Sequence, residues 1–146
     1  MTTQTSSKAA NNLGARIALA ALLAYGLWSG ASLSLGHYRS GEACPIMGDL
    51  IPACYIAFGA YLLMATAVVA RLIAPTRNLS ILFWIGLGVA GGLALIGSAL
   101  EAYKGDICPQ AFGWLPLCYV SLAFSVAMGW LYPRAATRAH VGAAPE

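Results

Sequence analysis

Hydrophobic residues along the chain fall into four long runs that contain no charged side chain. The runs are Ile17–Gly36, Leu50–Ala70, Asn78–Leu100 and Ile107–Pro133. Each is at least as long as the ~20 residues that an α-helix needs to cross the hydrocarbon core of a bilayer. The pattern therefore predicts an all-α membrane protein in which four transmembrane helices form a bundle.

The composition agrees with this pattern. Of the 146 residues, 60% are apolar and 9% are charged, and the mean hydropathy is +0.73. A typical soluble domain is about 45–50% apolar and about 25% charged. The composition thus argues against a soluble domain or a nucleic-acid-binding protein, and it makes the lipid bilayer the main partner of the chain.

Basic residues predict how the helices are oriented. Six of the eight fall on one side of the predicted membrane: Lys8, Arg16, Arg71, Arg77, Arg134 and Arg138. By the positive-inside rule that side, with both termini, is cytoplasmic. The first apolar run exceeds the usual ~7–15-residue core of a signal peptide, so we interpret it as a retained helix. We expect a multi-pass protein of a bacterial inner membrane.

An internal repeat divides the chain into two halves. Cys44-Pro45 and Pro52-Ala53-Cys54-Tyr55 recur 64 positions later as Cys108-Pro109 and Pro116-Leu117-Cys118-Tyr119. We predict two tandem helix–loop–helix repeats, 17–75 with an outer loop at 37–50 and 76–133 with an outer loop at 101–113, between cytoplasmic tails 1–16 and 134–146. Since each half holds an even number of spans, a pseudo-two-fold axis along the membrane normal should relate them.

Small residues at helical spacing indicate how the bundle closes. Gly26, Gly30 and Ser34 lie four residues apart in the first run, and Ser98 is the counterpart of Ser34 in the third. Gly88 and Gly92 form another such pair. Ridges of this kind allow helix backbones to approach closely in lipid, so we expect the first and third helices to meet. The alternative is that Gly is simply common in transmembrane helices.

Four cysteines carry most of the chemical information. All lie in the outer segments, and an even number of cysteines facing an oxidising compartment indicates disulfides. We predict Cys44–Cys54 and Cys108–Cys118, each closing a short loop. A proline two residues before Cys54, and another before Cys118, should start a helix. These two cysteines then lie at helix N-termini, where free N–H groups favour a thiolate.

Three interpretations of the cysteines remain open. Both bridges can brace the outer loops, as they would in a non-catalytic accessory or assembly subunit of a larger membrane complex. All four cysteines can instead be catalytic in thiol–disulfide exchange at the membrane surface, with electrons passing to a quinone. A soft metal such as Cu(I) could be captured by Cys44, Cys54, Met47 and His37, but the spacing fits no standard closed site, and we predict no bound metal.

The architecture resembles a known group of membrane proteins. Four helices, cytoplasmic termini and two outer cysteine pairs are similar to the disulfide-bond formation protein B and vitamin K epoxide reductase group. Its members reoxidise or reduce thiols using a quinone, which implies a quinone cofactor and a periplasmic thiol protein as partner. The group's Cys-x-x-Cys is absent from this sequence, and only the helix-start location carries over, onto Cys54 and Cys118.

Two further residues are acid–base candidates. His37 and Glu101 occupy equivalent positions in the two halves, at the outer ends of the first and third helices. They could face each other across the pseudo-axis beside the disulfides, or they could be solvated helix ends. Thiol–disulfide exchange and a disulfide-braced accessory subunit are the two functions that the sequence supports.

Overall fold

The computed structural model describes residues 3–41, 46–47, 51–74, 77–105, 108, 110–111 and 115–136. Four α-helices account for most of them: α1 (Thr3–Ser40), α2 (Ala53–Ile73), α3 (Arg77–Lys104) and α4 (Leu117–Ala136). The predicted all-α class is confirmed.

The first helix is much longer than its apolar run. It has 38 residues, which corresponds to about 57 Å at 1.5 Å per residue. The segment predicted as a tail at 1–16 is helical from Thr3 onward. Alanines such as Ala9, Ala10 and Ala15 favour a helix even where no amphipathic pattern is present.

Among the described residues, three segments are long and apolar enough to cross a membrane: Asn12–Ser40, Ala53–Ile73 and Asn78–Lys104. The fourth helix differs because its last turn carries Pro133 and Arg134, and because Ser121 and Ser125 interrupt its apolar sequence. The structure thus supports a membrane protein, and the fourth span stays a prediction.

Two small β-hairpins precede α2 and α4. Strand β1 (Ile46–Met47) pairs antiparallel with β2 (Ile51–Pro52), and β3 (Gln110–Ala111) pairs antiparallel with β4 (Leu115–Pro116). The apolar runs from Leu50 and from Ile107 therefore begin ahead of α2 and α4, which start directly after Pro52 and Pro116, as the prolines predict. Each chain segment is extended up to its proline and becomes helical after it. Pro52 caps α2 with φ −63° and ψ 132°, and its missing N–H would be unpaired at this position in any case.

The helices α1 and α3 end on glycines with a left-handed backbone. Gly41 has φ 76° and Gly105 has φ 66°. Their N–H groups donate to the carbonyl oxygens of His37 and Glu101, respectively, each at 2.8 Å. Glycine adopts this conformation at no steric cost, so it suits a helix end from which the chain turns sharply into a loop.

The four helices pack in a ring. In the described part of the chain, α1 packs against α2 and α4, and α3 packs against the same two helices. The extensive contact expected between α1 and α3 is not among these main contacts of the described residues, since the two helices occupy diagonal positions. Met64, Phe83 and Met128 are fully buried at the centre, where Phe83 stacks on Tyr132 with ring centroids 3.7 Å apart.

Small residues of α1 receive large side chains of α2. A Cβ on Gly26 would overlap the ring of Tyr61, and one on Gly30 would come within 3.3 Å of the Phe58 ring. By contrast, a Cβ on Gly88 or Gly92 would meet nothing within 4 Å. The glycines of α1 thus serve packing between neighbouring helices, whereas Gly88 and Gly92 lie away from such contacts.

Candidate functional site

The predicted bridge between Cys108 and Cys118 is confirmed. The two Cα atoms are 6.2 Å apart, within the range that a disulfide spans. This bridge lies where α3 ends and α4 begins, and we call that end of the bundle the disulfide end. Cys54 is also disulfide-bonded. Its predicted partner Cys44 lies outside the described residues, so the pairing Cys44–Cys54 stays a prediction.

Both helix-start cysteines lie where the prolines predict. Cys54 is the second residue of α2, and Cys118 is the second residue of α4. Their exposure differs, since Cys54 is buried and Cys118 is half-buried. In the second bridge it is the loop cysteine, Cys108, that is buried, with 5% of its surface exposed.

Gly97 holds the second bridge close to α3. Its carbonyl oxygen lies 3.9 Å from the Sγ of Cys108, and a Cβ on Gly97 would come within 2.8 Å of the Sγ of Cys118. The sequence analysis assigns Gly97 no role. The sequence nevertheless indicated where Gly97 lies, because Gly97 and the candidate Glu101 are four residues apart and so share one face of α3.

Glu101 fixes the loop that carries the bridge. Its Oε2 accepts a hydrogen bond of 2.8 Å from the backbone N–H of Cys108. His37 packs edge-on against Tyr55, with ring centroids 6.0 Å apart, and its buried Nδ1 has no hydrogen-bond partner among the described residues. Each candidate thus has a contact near its own helix end, and their pairing as acid and base stays a prediction.

Two tyrosines make matching contacts at this end. The hydroxyl of Tyr55 donates to the carbonyl oxygen of Ser34 at 3.4 Å, and that of Tyr119 donates to the carbonyl oxygen of Ser98 at 3.5 Å. Both serines are buried, and in the described part of the chain neither Oγ has a hydrogen-bond partner. The bonds link α1 with α2 and α3 with α4, and their length makes each one weak.

Three arginines converge on the opposite end of the bundle, which we call the arginine end. Arg16 donates from Nε to the carbonyl oxygen of Ala135 at 3.2 Å. Arg71 donates to the hydroxyl of Tyr132 at 2.8 Å. The guanidinium of Arg134 lies 3.4 Å from the centroid of the Trp130 ring. The last turn of α4 therefore gathers positive charge from α1, α2 and its own sequence.

The described residues form neither of two standard kinds of ligand site, a metal centre and a dinucleotide-binding loop. Among the described residues no group of three or more His, Cys, Asp and Glu could hold a metal ion. The residues Gly86, Gly88 and Gly91 have the spacing of a dinucleotide-binding loop, but they lie within α3, whereas that motif requires a strand followed by a turn. Comparison with known protein families, characterised proteins and solved structures finds no match.

Proposed function

We propose that this chain is a four-span protein of the bacterial inner membrane, with both termini in the cytoplasm. Its bridges brace the outer hairpins, and it serves as a non-catalytic accessory or assembly subunit of a membrane complex. The observation that carries the proposal is the burial of Cys108 against α3, since a sulfur that an external thiol cannot reach suits a structural bridge.

The contacts of α4 support four spans. Its 20 residues correspond to about 30 Å, the thickness of the hydrocarbon core. Its start carries Cys118 at the disulfide end, and its last turn contacts Arg16 and Arg71 at the arginine end. It thus runs the full height of the same bundle as the three apolar helices. Labelling of cysteines introduced at residues 40, 76 and 106 should alternate between the two faces of the membrane.

Contacts 64 residues apart support the tandem repeat. The bond from Tyr55 to Ser34 has its counterpart from Tyr119 to Ser98. The glycine caps at Gly41 and Gly105, and the ladders β1–β2 and β3–β4, stand at the same spacing. These are backbone and packing features, so they favour a duplicated fold more strongly than a shared cysteine pattern alone.

Bracing has a direct physical advantage at this end of the bundle. A hairpin with two-residue strands is marginal by itself, and closing a loop of about ten residues by a disulfide stabilises the fold by roughly 3 kcal/mol. Glu101 adds a charged acceptor for the amide of Cys108. Together they hold the outer surface in one shape, which a subunit that contacts other chains requires.

Redox titration in membranes tests the proposal. We expect the Cys108–Cys118 bridge to resist glutathione buffers and to have a potential below about −300 mV. The same protein unfolded in detergent is the control, since its bridges should then be reduced readily. A bridge that glutathione reduces in the folded protein would contradict a bracing role.

Thiol–disulfide exchange is the second candidate, and the half-buried Cys118 at the start of α4 favours it. An incoming thiolate would form a mixed disulfide with Cys118 and release Cys108 as the thiolate. A second thiol of the same partner would then attack the mixed disulfide and leave with the new bridge, and the reduced pair would pass two electrons to a quinone. This route follows the resemblance to the disulfide-bond formation protein B group, and quinone-dependent reoxidation of the reduced chain tests it.

A further inference from the structure

Trp28 projects from the outer face of α1 near the middle of the bundle, with 75% of its surface exposed. Gly26 lies against Tyr61 and Gly30 against Phe58, so Trp28 stands at a height close to the middle of α2. Tryptophan is enriched at membrane interfaces, where its indole N–H reaches water. At mid-height that N–H has no water to donate to, and an acceptor on a second helix would lower its free energy. The position of Trp28 therefore indicates a contact with another protein chain.

The outer face of α3 lacks side chains at the equivalent height. Gly92 stands 64 residues after Trp28, and each is twelve residues before the last residue of its helix, Lys104 and Ser40 respectively. A Cβ on Gly92, or on Gly88 one turn earlier, would meet nothing within 4 Å. Because α1 and α3 occupy diagonal positions in the ring, their outer faces point in opposite directions. A large side chain and an open stretch of backbone thus lie at one height on opposite sides of the bundle.

Side-chain size is complementary along these two outer faces. At five of seven positions, one helix has a small residue where the other has a large one 64 residues away. The five pairs are Ala21 and Ile85, Trp28 and Gly92, Ala31 and Leu95, Ser32 and Ile96, and Leu35 and Ala99. All are exposed except Gly92, which is half-buried. The other two pairs, Ala24 with Gly88 and Tyr25 with Val89, do not alternate in size. If α1 of one copy lies beside α3 of the next, most heights are filled by one large and one small residue, which permits close packing in lipid.

A membrane brings these faces together in register. All inserted copies of a chain share one orientation and one depth, and both α1 and α3 end at the disulfide end. Residues 64 apart therefore meet without a vertical shift between copies. Each outer face offers roughly 400 Å², with about 150–250 Å² for a tryptophan and less for each aliphatic residue. A copy that uses both faces buries about 800 Å² in total, the area that a standard stable interface buries per partner.

We propose that the chain associates with further copies of itself, and that Trp28 of one copy packs against Gly88 and Gly92 of the next. Because the two faces point in opposite directions, the contact is heterologous, and copies add in a row along the membrane. The inference rests on the proposed topology, in which α1 and α3 cross the membrane in the same direction. It goes beyond the proposed function by identifying a self-contact and the residues that form it.

Photo-crosslinking between two differently tagged copies in membranes tests the contact. A benzophenone amino acid in place of Trp28 keeps a large aromatic side chain there, and we expect peptide mapping to find it joined to residues 85–96 of the other copy. The same amino acid in place of Tyr38, which is 82% exposed on α1, is the control and should give no such adduct. A crosslink from position 28 to position 28 would indicate a symmetric pair and overturn the proposal. Crosslinks to lipid alone, or only to a different protein, would also overturn it.

Changes in side-chain size test which residues carry the contact, with energy transfer between labelled copies in phosphatidylcholine vesicles as the measure of association. Trp28→Ala and Gly92→Leu should each weaken association about tenfold. Gly59→Leu is the matched control, because Gly59 is an exposed glycine of α2 with nothing within 4 Å of an added Cβ. It should leave association unchanged.

Two further readouts separate the contact from folding and from topology. If Gly92→Leu associates as strongly as the parent chain, with the Cys108–Cys118 bridge intact in both, the contact is refuted. Cysteine labelling at residues 40, 76 and 106 in the same vesicles reports the topology independently. Alternating labels without a crosslink from position 28 would count against the self-contact and leave the topology standing.

Discussion

Replacing Gly97 by alanine tests how closely the second bridge is fitted to α3. The added methyl would lie 2.8 Å from the Sγ of Cys118 and 3.7 Å from the Sγ of Cys108. Favourable contacts between carbon atoms begin at about 3.5 Å, so the first distance is a clash. The sulfur is tied to its partner and cannot rotate away, and either α3 or the hairpin must therefore shift.

The size of the effect follows from two opposing terms. Overpacking of this kind typically costs about 1–3 kcal/mol. Alanine in place of glycine within a helix recovers about 0.5–1 kcal/mol. We therefore expect Gly97→Ala to lower the free energy of unfolding by up to about 2.5 kcal/mol. Gly88→Ala is the control, because a methyl there meets nothing within 4 Å, and it should raise stability by about 0.5–1 kcal/mol.

Unfolding by denaturing detergent, with non-reduced peptide mapping of the Cys108–Cys118 bridge, measures both variants. In the Cys108→Ser/Cys118→Ser background the sulfurs are gone and the penalty at Gly97 should fall toward zero. Such a cycle isolates the contact between the methyl and the bridge. If Gly97→Ala proves as stable as Gly88→Ala with its bridge intact, the fit described here is wrong.

Substitutions at four further positions test single contacts. Tyr55→Phe and Tyr119→Phe should each lower the free energy of unfolding by about 0.5 kcal/mol, since the hydrogen bonds of both hydroxyls are long. If the effects of the two variants differ by more than about 1 kcal/mol, the two hydrogen bonds are not equivalent. Arg71→Gln removes a charged donor at 2.8 Å from a tyrosine hydroxyl of α4 and should cost about 1–2 kcal/mol in the same assay, whereas Arg71→Lys should recover part of the loss. Glu101→Gln removes the charge on the acceptor of the Cys108 amide, so the ratio of bridged to reduced protein in glutathione buffer should fall about fivefold, and an unchanged ratio would count against this contact.

Helix positions were largely predictable from the sequence because each helix must bury or shield a long apolar run. The predicted runs Leu50–Ala70 and Asn78–Leu100 lie within four residues of α2 and α3 at each end. Hydropathy alone does not distinguish the apolar strand before Pro116 from the start of an apolar helix. Pro116 supplied the correct boundary, since the residues before it are biased toward extended backbone.

The arrangement of the helices was not predictable from small residues alone. Gly26 and Gly30 indicate that something approaches α1 closely, but a ridge of this kind does not specify its occupant. In the structure the rings of Tyr61 and Phe58 fill the space, so the neighbour is α2 and not α3. Large side chains that pack on a glycine leave no periodic signal of their own, which is why the order of the ring emerged only in three dimensions.

Long-range contacts at the arginine end show the same limit. Arg71 and Tyr132 are 61 residues apart, and Arg16 and Ala135 are 119 apart. Nothing in local composition links them, although the clustering of basic residues on one side of the predicted membrane did place the arginines at a common end. Charge therefore indicated the end of the bundle, while the hydrogen-bond partners depended on the fold.

Positions 64 residues apart have similar backbone structure but carry different side chains. His37 stands where the second half has Glu101, and Leu33 stands where it has Gly97. Gly97 lets the second bridge lie against α3, where Cys108 is buried and Cys118 is half-exposed. In the first half, by contrast, the helix-start cysteine Cys54 is buried. A thiol that attacks a helix-start sulfur therefore has better access at Cys118 than at Cys54. If the protein exchanges disulfides by attack on a helix-start sulfur, Cys118 is the more accessible target, so the symmetry of the cysteine pattern does not extend to the exposure of these two residues.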